Sequence, residues 1–239
     1  MNYEQTLNQL ISQDAITGVD VSNCQGPIDF CYVEEKYPHI NFAIIKMRDE
    51  LYNGVDSQFN NNWSSISKTK IKQMVYSVIS PNKDVSQVMP TIQMVDKFDI
   101  KPSCIMLDIE TPAIQDVNKT ADMINSAISQ IQCQTNIPVL IYSYYPYIKL
   151  LLNKINHNSF AIANYSTLYN TYSDLSKKHI KLAQFSGWVP NNGCKNIMCT
   201  QSSHNHGTYL QLQPNGKLIA VDQDIFLDVE YYNSLSSKR

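Results

Sequence analysis

The sequence predicts an α/β fold, a single irregular β/α barrel with a less helical C-terminal third, on three observations. Short β-branched apolar runs recur along the chain, stretches of helical length lie between several of them, and acidic residues stand near the ends of the runs. The 239 residues are 43% hydrophobic and 17% charged, enough apolar material for a sizeable core and far from a disordered composition. Lysine plus arginine total 19 against 21 acids, a net charge of −2, which argues against a dedicated nucleic-acid binder. No run approaches the roughly 18 apolar residues of a membrane-spanning helix, so no membrane partner is expected.

The strand candidates are 16–22, 42–47, 73–79, 104–110, 138–143, 160–165, 181–185 and 218–222. Most are apolar on both sides, the form of strands buried on both faces in a parallel sheet. Residues 116–132 place Val117, Ala121, Ile124, Ala127, Ile128 and Ile131 near a 3.6-residue period. Residues 85–98 repeat the pattern with Pro90 near the start, and 145–155 group Tyr147, Ile148, Leu151 and Leu152. Strands alternating with helices point to a closed barrel rather than an open sheet. One domain is expected over 16–232, with an N-terminal extension at 1–15 and a tail at 233–239. The first residues lack the charged start and apolar stretch of a signal peptide.

In a β/α barrel, chemistry sits at the C-terminal ends of the strands. Asp20 lies near the end of the first run, Asp108 and Glu110 end the fourth, and Asp222 ends the last, with Asp224 two residues on. Residues i and i+2 of a strand share a face, so Asp108 and Glu110 point one way and Ile109 turns into the helix layer. A closed barrel would bring Asp20, Asp108, Glu110 and Asp222 to one mouth. Crowding and burial raise the pKa of at least one such carboxyl, which prepares a general acid. Paired acids beside a cleft are the working parts of glycoside hydrolysis. Any one of these acids alone could equally close a strand and cap the next helix. Three strands ending this way, with D-x-E on one of them, favour a site.

The same residues carry a resemblance. Residues 18–29, G-V-D-V-S-N-C-Q-G-P-I-D, resemble the opening segment of glycoside hydrolase family 25, the Chalaropsis-type lysozymes. Phe42-Ala-Ile-Ile-Lys46 resembles the second strand of that family and Asp56-Ser-Gln-Phe59 its D-x-x-F segment. Leu107-Asp-Ile-Glu110, Ile141-Tyr142, Ile162-Ala-Asn-Tyr165, Gln184-Phe185 and the closing V-D-x-x-x-F at 221–226 follow in order. The resemblance implies an irregular, flattened, TIM-like barrel. It also implies 1,4-β-N-acetylmuramidase activity on bacterial peptidoglycan, by a monomer without cofactor or metal. The enzyme would act on the cell wall outside the cell, secreted or released by a phage. By matched position, Glu110 would be the general acid, and Asp108 would orient the 2-acetamido group of the sugar or stabilise positive charge on it. Asp20 and Asp222 would fix the acids and bind the reacting sugar. Tyr76, Tyr142 and Tyr165 would line the cleft, and Gln184 would contact substrate. The i,i+2 spacing of Asp108 and Glu110 fits a route in which the acetamido oxygen replaces a protein nucleophile.

There are departures from the family pattern. Met47-Arg48-Asp49-Glu50 stands where a T-E-G-like turn is usual. Tyr76-Ser77-Val78 replaces Y-H-F, removing an expected cleft histidine, and Ala161 replaces a tryptophan. They leave open a carbohydrate-binding pseudoenzyme on the same barrel, or a hydrolase of another amino-sugar polymer such as chitin. The stretch 188–217 is long for a connection and is expected as a loop insertion. Its Cys194, Cys199, His204 and His206 could bind zinc, form a local disulfide or stay as free thiols. Cys24 could pair with Cys31, whereas Cys104 reads as a small core residue. With only 7 glycines, tight turns are expected to be remodelled.

Overall fold

The computed structural model describes residues 16–52, 54–110, 112–156, 159–163, 180–186 and 208–235. All eight sequence-derived runs form strands: β1 (Ile16–Val21), β2 (Ile40–Asp49), β4 (Lys72–Val78), β5 (Ile105–Asp108), β6 (Val139–Tyr144), β7 (Phe160–Ala163), β8 (Ile180–Ser186) and β10 (Leu218–Phe226). Two short strands were not foreseen. β3 (Gly54–Val55) forms a hairpin with β2, and β9 (Thr208–Gln211) pairs with β10 inside the stretch expected as a loop. The helices are α1 (Phe30–Lys36), α2 (Phe59–Ile66), α3 (Met89–Lys97), α4 (Val117–Thr135), α5 (Tyr145–Leu151) and α6 (Val229–Ser234).

The barrel runs β1-β2-β4-β5-β6-β7-β8-β10 and closes by pairing β10 with β1. Each neighbour is parallel except β10, which is antiparallel to both β8 and β1. This corrects the expectation that Asp222 ends its strand: β10 continues to Phe226, and Asp222 sits mid-strand. It reaches the same mouth as Asp108 because β10 runs the other way, so the N-terminal part of this strand lies beside the C-terminal ends of its neighbours.

Alternation along the strands sorts side chains into two layers. Phe42, Ile44, Met74, Met106, Leu140 and Leu182 fill the barrel interior, where Cys104 is also wholly buried. Their sequence neighbours, among them Ala43, Ile45, Val75, Leu107 and Ile141, pack outward on the helices. α4 answers with Ala121, Ile124, Ala127, Ile128 and Ile131, the stripe its period predicts. It starts where the Asp116 carboxylate accepts from the amides of Asn118 and Lys119, and stops at Asn136 in the left-handed conformation, φ 55°. Asp99, φ 46°, is the other non-glycine residue with positive φ among the described residues. Aspartate and asparagine thus take positions that glycine fills in most chains. No disulfide joins Cys24 to Cys31, and Cys31 is an exposed thiol on α1.

α6 stoppers the barrel at the end away from the acids. Tyr232 lies against Phe226, ring centres 5.0 Å apart, and Phe226 meets Phe42 edge-on at 4.8 Å. Leu235 is 1% exposed, so the segment expected as a tail from 233 begins inside the fold. Lys72 Nζ donates to the carbonyls of Tyr232 and Leu235 at 2.6 and 2.7 Å, and lies 3.8 Å from the centre of the Tyr232 ring. Helix ends leave such carbonyls without partners, so this cation closes the stopper. Lys72→Met is expected to lower stability by about 1–3 kcal/mol, read as a fall in denaturant midpoint with unchanged slope.

Among the described residues no helix is long and apolar enough to cross a membrane, and no group of His, Cys, Asp and Glu is arranged to hold a metal ion. The candidate zinc ligands Cys194, Cys199, His204 and His206, the extension 1–15 and the segment 188–207 lie outside the described residues.

Candidate active site

The turn after β1 is built by residues of the opening motif. Gln25 Oε1 accepts from the Ser22 amide at 2.9 Å while Ser22 Oγ accepts from Cys24 N at 3.2 Å, a reciprocal cap over a short 3-10 turn. Asp56 ties that turn to the start of α2, accepting from Asn23 N and from Gln58 N, each at 2.9 Å. Asn62, in an N-x-S sequon, is wholly buried; it accepts from Ile28 N at 2.9 Å and donates to the Gly26 carbonyl at 3.2 Å. It is a structural strut, closed to glycosylation in the folded chain.

Strand register then sets the acids. Asp20 faces Asp222 across the β1–β10 ladder, and Gly18 faces Asp224. Asp224 neighbours Gln184 on β8, and Asp108 neighbours Tyr142 on β6. Glu110 follows β5, and Ile109 between the two acids packs outward into the helix layer, as expected from the i,i+2 rule. Gln184 Nε2 donates to Asp20 Oδ2 at 2.6 Å, and the Tyr142 hydroxyl donates to Gln184 Oε1 at 2.8 Å. Asp224 stands beside Asp20, and the hydroxyls of Tyr142 and Tyr144 stand beside Glu110, where both favour its ionised form.

Burial dominates the electrostatics. It lifts Asp20 to about 6, against the Gln184 and Asp224 hydrogen bonds and the charge of Lys46. It lifts Glu110 to about 7, reinforced by the negative charge of Asp20 and opposed by the hydroxyls of Tyr144 and Tyr142 and by Lys46. Burial and the neighbouring Glu110 hold Asp108 well above the usual carboxylate range, and burial with Asp20 and Asp222 does the same for Asp224. Asp108 Oδ1 and Asp224 Oδ2 are buried without a hydrogen-bond partner among the described residues. Lys46 is the cation of the cluster: its Nζ lies 2.8 Å from Asp49 Oδ2 and 5.9 Å from the Tyr76 ring centre. The Tyr76 hydroxyl is held well above its ordinary pKa by burial and by Asp20, Asp108, Asp222 and Asp56.

Of the sequence-derived site residues, the fold gathers Asp20, Asp108, Glu110, Asp222, Tyr76, Tyr142 and Gln184 around one barrel end. Tyr165 lies outside the described residues. Gln184 is 4% exposed, with its amide turned to Asp20 and Tyr142. Ser77 corrects one reading: its hydroxyl accepts from Thr91 on α3 at 2.9 Å, so position 77 faces the helix layer and a histidine there would not enter the cleft. The altered turn after β2 is braced internally by Arg48 and Glu50, Nε to Oε1 2.6 Å. Three participants went unselected in the sequence: Asp224, Lys46 and Tyr144. Asp224 and Tyr144 stand two residues from Asp222 and Tyr142, so the i,i+2 rule already applied to 108 and 110 would have found them. A lysine inside an apolar strand run was the signal for Lys46.

A closed β/α barrel with buried carboxyls gathered at one end is an arrangement that glycoside hydrolysis can use. The profile of Glycosyl hydrolases family 25 matches residues 19–193, and the chain belongs to that family. Solved structures agree on the fold. A family 25 glycosyl hydrolase from Bacillus anthracis superposes with TM-score 0.62 at 18% identity, over 93% of each chain. The lysozyme of Streptomyces coelicolor gives 0.63 at 18% identity, over 90% of this chain and 93% of that one. The modular autolysin LytC of Streptococcus pneumoniae, solved in complex with a synthetic peptidoglycan ligand, gives 0.57 at 15% identity, over 89% of this chain and 46% of that one. Among curated proteins, no sequence matches this chain.

Proposed function

We propose that this protein is a muramidase that hydrolyses the β-1,4 bond between N-acetylmuramic acid and N-acetylglucosamine in bacterial peptidoglycan. The observation that carries this reading is the Glu110 carboxyl, lifted to about 7 beside Asp108 and Asp20, still able to hold a proton at neutral pH. Glu110 donates that proton to the glycosidic oxygen as the bond to the anomeric carbon breaks. Asp108 accepts from the acetamido N–H through its unpartnered Oδ1, turning the acetamido oxygen toward the anomeric carbon, where it forms a cyclic intermediate that water opens. Asp20, ionised above about 6, stabilises the developing positive charge. Asp222 and Tyr76 complete the wall against the sugar. The peptidoglycan-bound relative supports this substrate class.

Activity needs Asp20 ionised and Glu110 protonated, so the pH profile of kcat/KM is expected to be a narrow bell. Its rising limb lies near pH 6 and its falling limb near pH 7, the values belonging to the coupled set. The deciding assay incubates the protein with purified bacterial walls and with chitin, and identifies new reducing ends by mass spectrometry. Reducing-end muramic acid from walls supports the proposal. Products from chitin alone would reassign the substrate, and a bound but uncut wall would make the chain a binding protein.

A further inference from the structure

Regular alternation along β2 puts Phe42 and Ile44 in the barrel interior and Ala43, Ile45 and Met47 against the helices. Lys46 therefore points inward at the end that holds the acids, on the strand between β1, with Asp20, and β4, with Tyr76. On an uninterrupted strand Asp49, three residues on, would point to the opposite face. It does not. Lys46 pairs with Tyr76 and Arg48 with Ser77, so Met47 has no partner on β4. This bulge is pinned by Asp56 N, which donates to the Met47 carbonyl at 3.0 Å. It sends Met47 and Arg48 both outward, Arg48 Nη1 to 3.9 Å from Met94 Sδ on α3. Asp49 returns to the inner face, where its Oδ2 accepts from Lys46 Nζ at 2.8 Å. Bulges beside active sites re-aim side chains in this way. Asp49 is level with Val78, and Val78 with Asp108, so the Asp49 and Asp108 backbones lie two strand spacings apart, about 10 Å.

An ammonium has three N–H donors, and among the described residues Lys46 spends one, on Asp49. Its side chain is 18% exposed, so the other donors are open to whatever enters the mouth. We propose that Lys46 is a substrate-binding residue that recognises the lactyl group of N-acetylmuramic acid, held in place by Asp49 through the β2 bulge. That group is what distinguishes N-acetylmuramic acid from N-acetylglucosamine. Its carboxyl is either free or linked as an amide to the stem peptide, and both forms present an oxygen acceptor. The free form is an anion, which a mouth lined with Asp20, Asp108, Glu110, Asp222 and Asp224 repels unless a cation meets it. The proposal rests on the muramidase reading for its substrate, and adds the contact by which walls are told from chitin.

Calorimetric titration of the full chain with three sugars tests this without turnover. They are N-acetylglucosaminyl-N-acetylmuramic acid with its carboxyl free, the same disaccharide carrying a stem peptide, and di-N-acetylchitobiose, which lacks the lactyl group. A lactyl-bearing sugar is expected to bind about tenfold more tightly than chitobiose. Lys46→Met is expected to remove that preference while chitobiose affinity stays within about twofold, and Lys46→Arg, still a cation, to keep most of it. Preference for the free acid alone, weakening with salt, supports the proposal with a carboxylate as the acceptor. Equal preference for both lactyl forms supports it with the carbonyl oxygen. Lys46→Met combined with Asp49→Asn leaves no unpaired carboxylate and keeps the acceptor that Asp49 Oδ1 offers to Leu51 N. This double variant is expected to lose the preference at an unchanged melting temperature. Equal binding of all three sugars by the wild type, or a preference that survives Lys46→Met, overturns the proposal. So does loss of all three sugars by a double variant that melts as the wild type does, since Lys46 would then serve the shared sugar ring. If walls are not cut yet the preference follows Lys46, the muramidase reading fails and the lactyl contact stands. If walls are cut and the preference ignores Lys46, the reverse holds.

Discussion

Glu110→Gln is expected to cut cleavage of bacterial walls by about a thousandfold while leaving wall binding nearly intact. Glutamine keeps the shape of the side chain and its hydrogen-bonding capacity but has no proton to give. The leaving oxygen would then depart as an alkoxide, and that is the largest single barrier the site removes. The same substitution is expected to stabilise the fold, with a pH dependence that follows from the position of the carboxyl. Its pKa rises from 4.5 to about 7 on burial. Below pH 4.5 the folded and unfolded chains both hold the proton, and the group contributes no pH dependence. Between pH 4.5 and 7 the unfolded chain releases the proton while the folded chain retains it, so wild-type stability falls as pH rises and levels off above 7. Glutamine carries no such penalty. The variant is therefore expected to match the wild type near pH 4 and exceed it at pH 8 by up to about 3 kcal/mol, the equivalent of that shift. Thermal melts at the two pH values, beside a turbidity and reducing-end assay, check both halves. A variant that is inactive because it is unfolded would lose stability at every pH, and a variant as active as the wild type would remove Glu110 from the mechanism.

Gly18→Ala is expected to cost more than about 3 kcal/mol, enough to prevent stable folding in a domain of ordinary stability. A Cβ at this position would stand 2.5 Å from two ring carbons of Phe42 and 2.5 Å from the Phe42 carbonyl oxygen. The ring belongs to the packed barrel interior, stacked edge-on against Phe226, so it has no alternative place. The carbonyl belongs to the β1–β2 ladder that closes the barrel and positions Asp20. Combining Gly18→Ala with Phe42→Ala would relieve the ring clash but not the backbone one, and is expected to recover little. A denaturant midpoint for Gly18→Ala within a few tenths molar of the wild type would show that β1 and β2 can separate, and that the register of Asp20 is less constrained than described.

Much of the molecule is legible in short stretches of residues. Val117 to Ile131 announces α4 because its apolar side chains repeat with the helical period, and all eight barrel strands stand out as short β-branched runs. Asp108 and Glu110 share a face by strand geometry alone, and Ile109 between them packs outward as that geometry requires. The order of family 25 motifs adds the closed barrel and the gathering of Asp20, Asp108, Glu110 and Asp222 at one end. The direction of β10 was not legible, because run length and composition are the same for a parallel and an antiparallel neighbour. Nor was the side on which Ser77 falls, which depends on which alternate positions of β4 the barrel closes around.

The chain by itself determined its elements, its family and the presence of acids on three strands, since these follow from local periodicity and from motifs read in order. Only the tertiary structure decided that Asp224 stands beside Asp20, that Gln184 turns inward between Asp20 and Tyr142, that Lys46 is the cation beside four carboxyls, and that burial lifts the Glu110 pKa to about 7. Those facts depend on which strands pair, in which direction and how far water is excluded. Each is a property of distances between residues far apart in the chain.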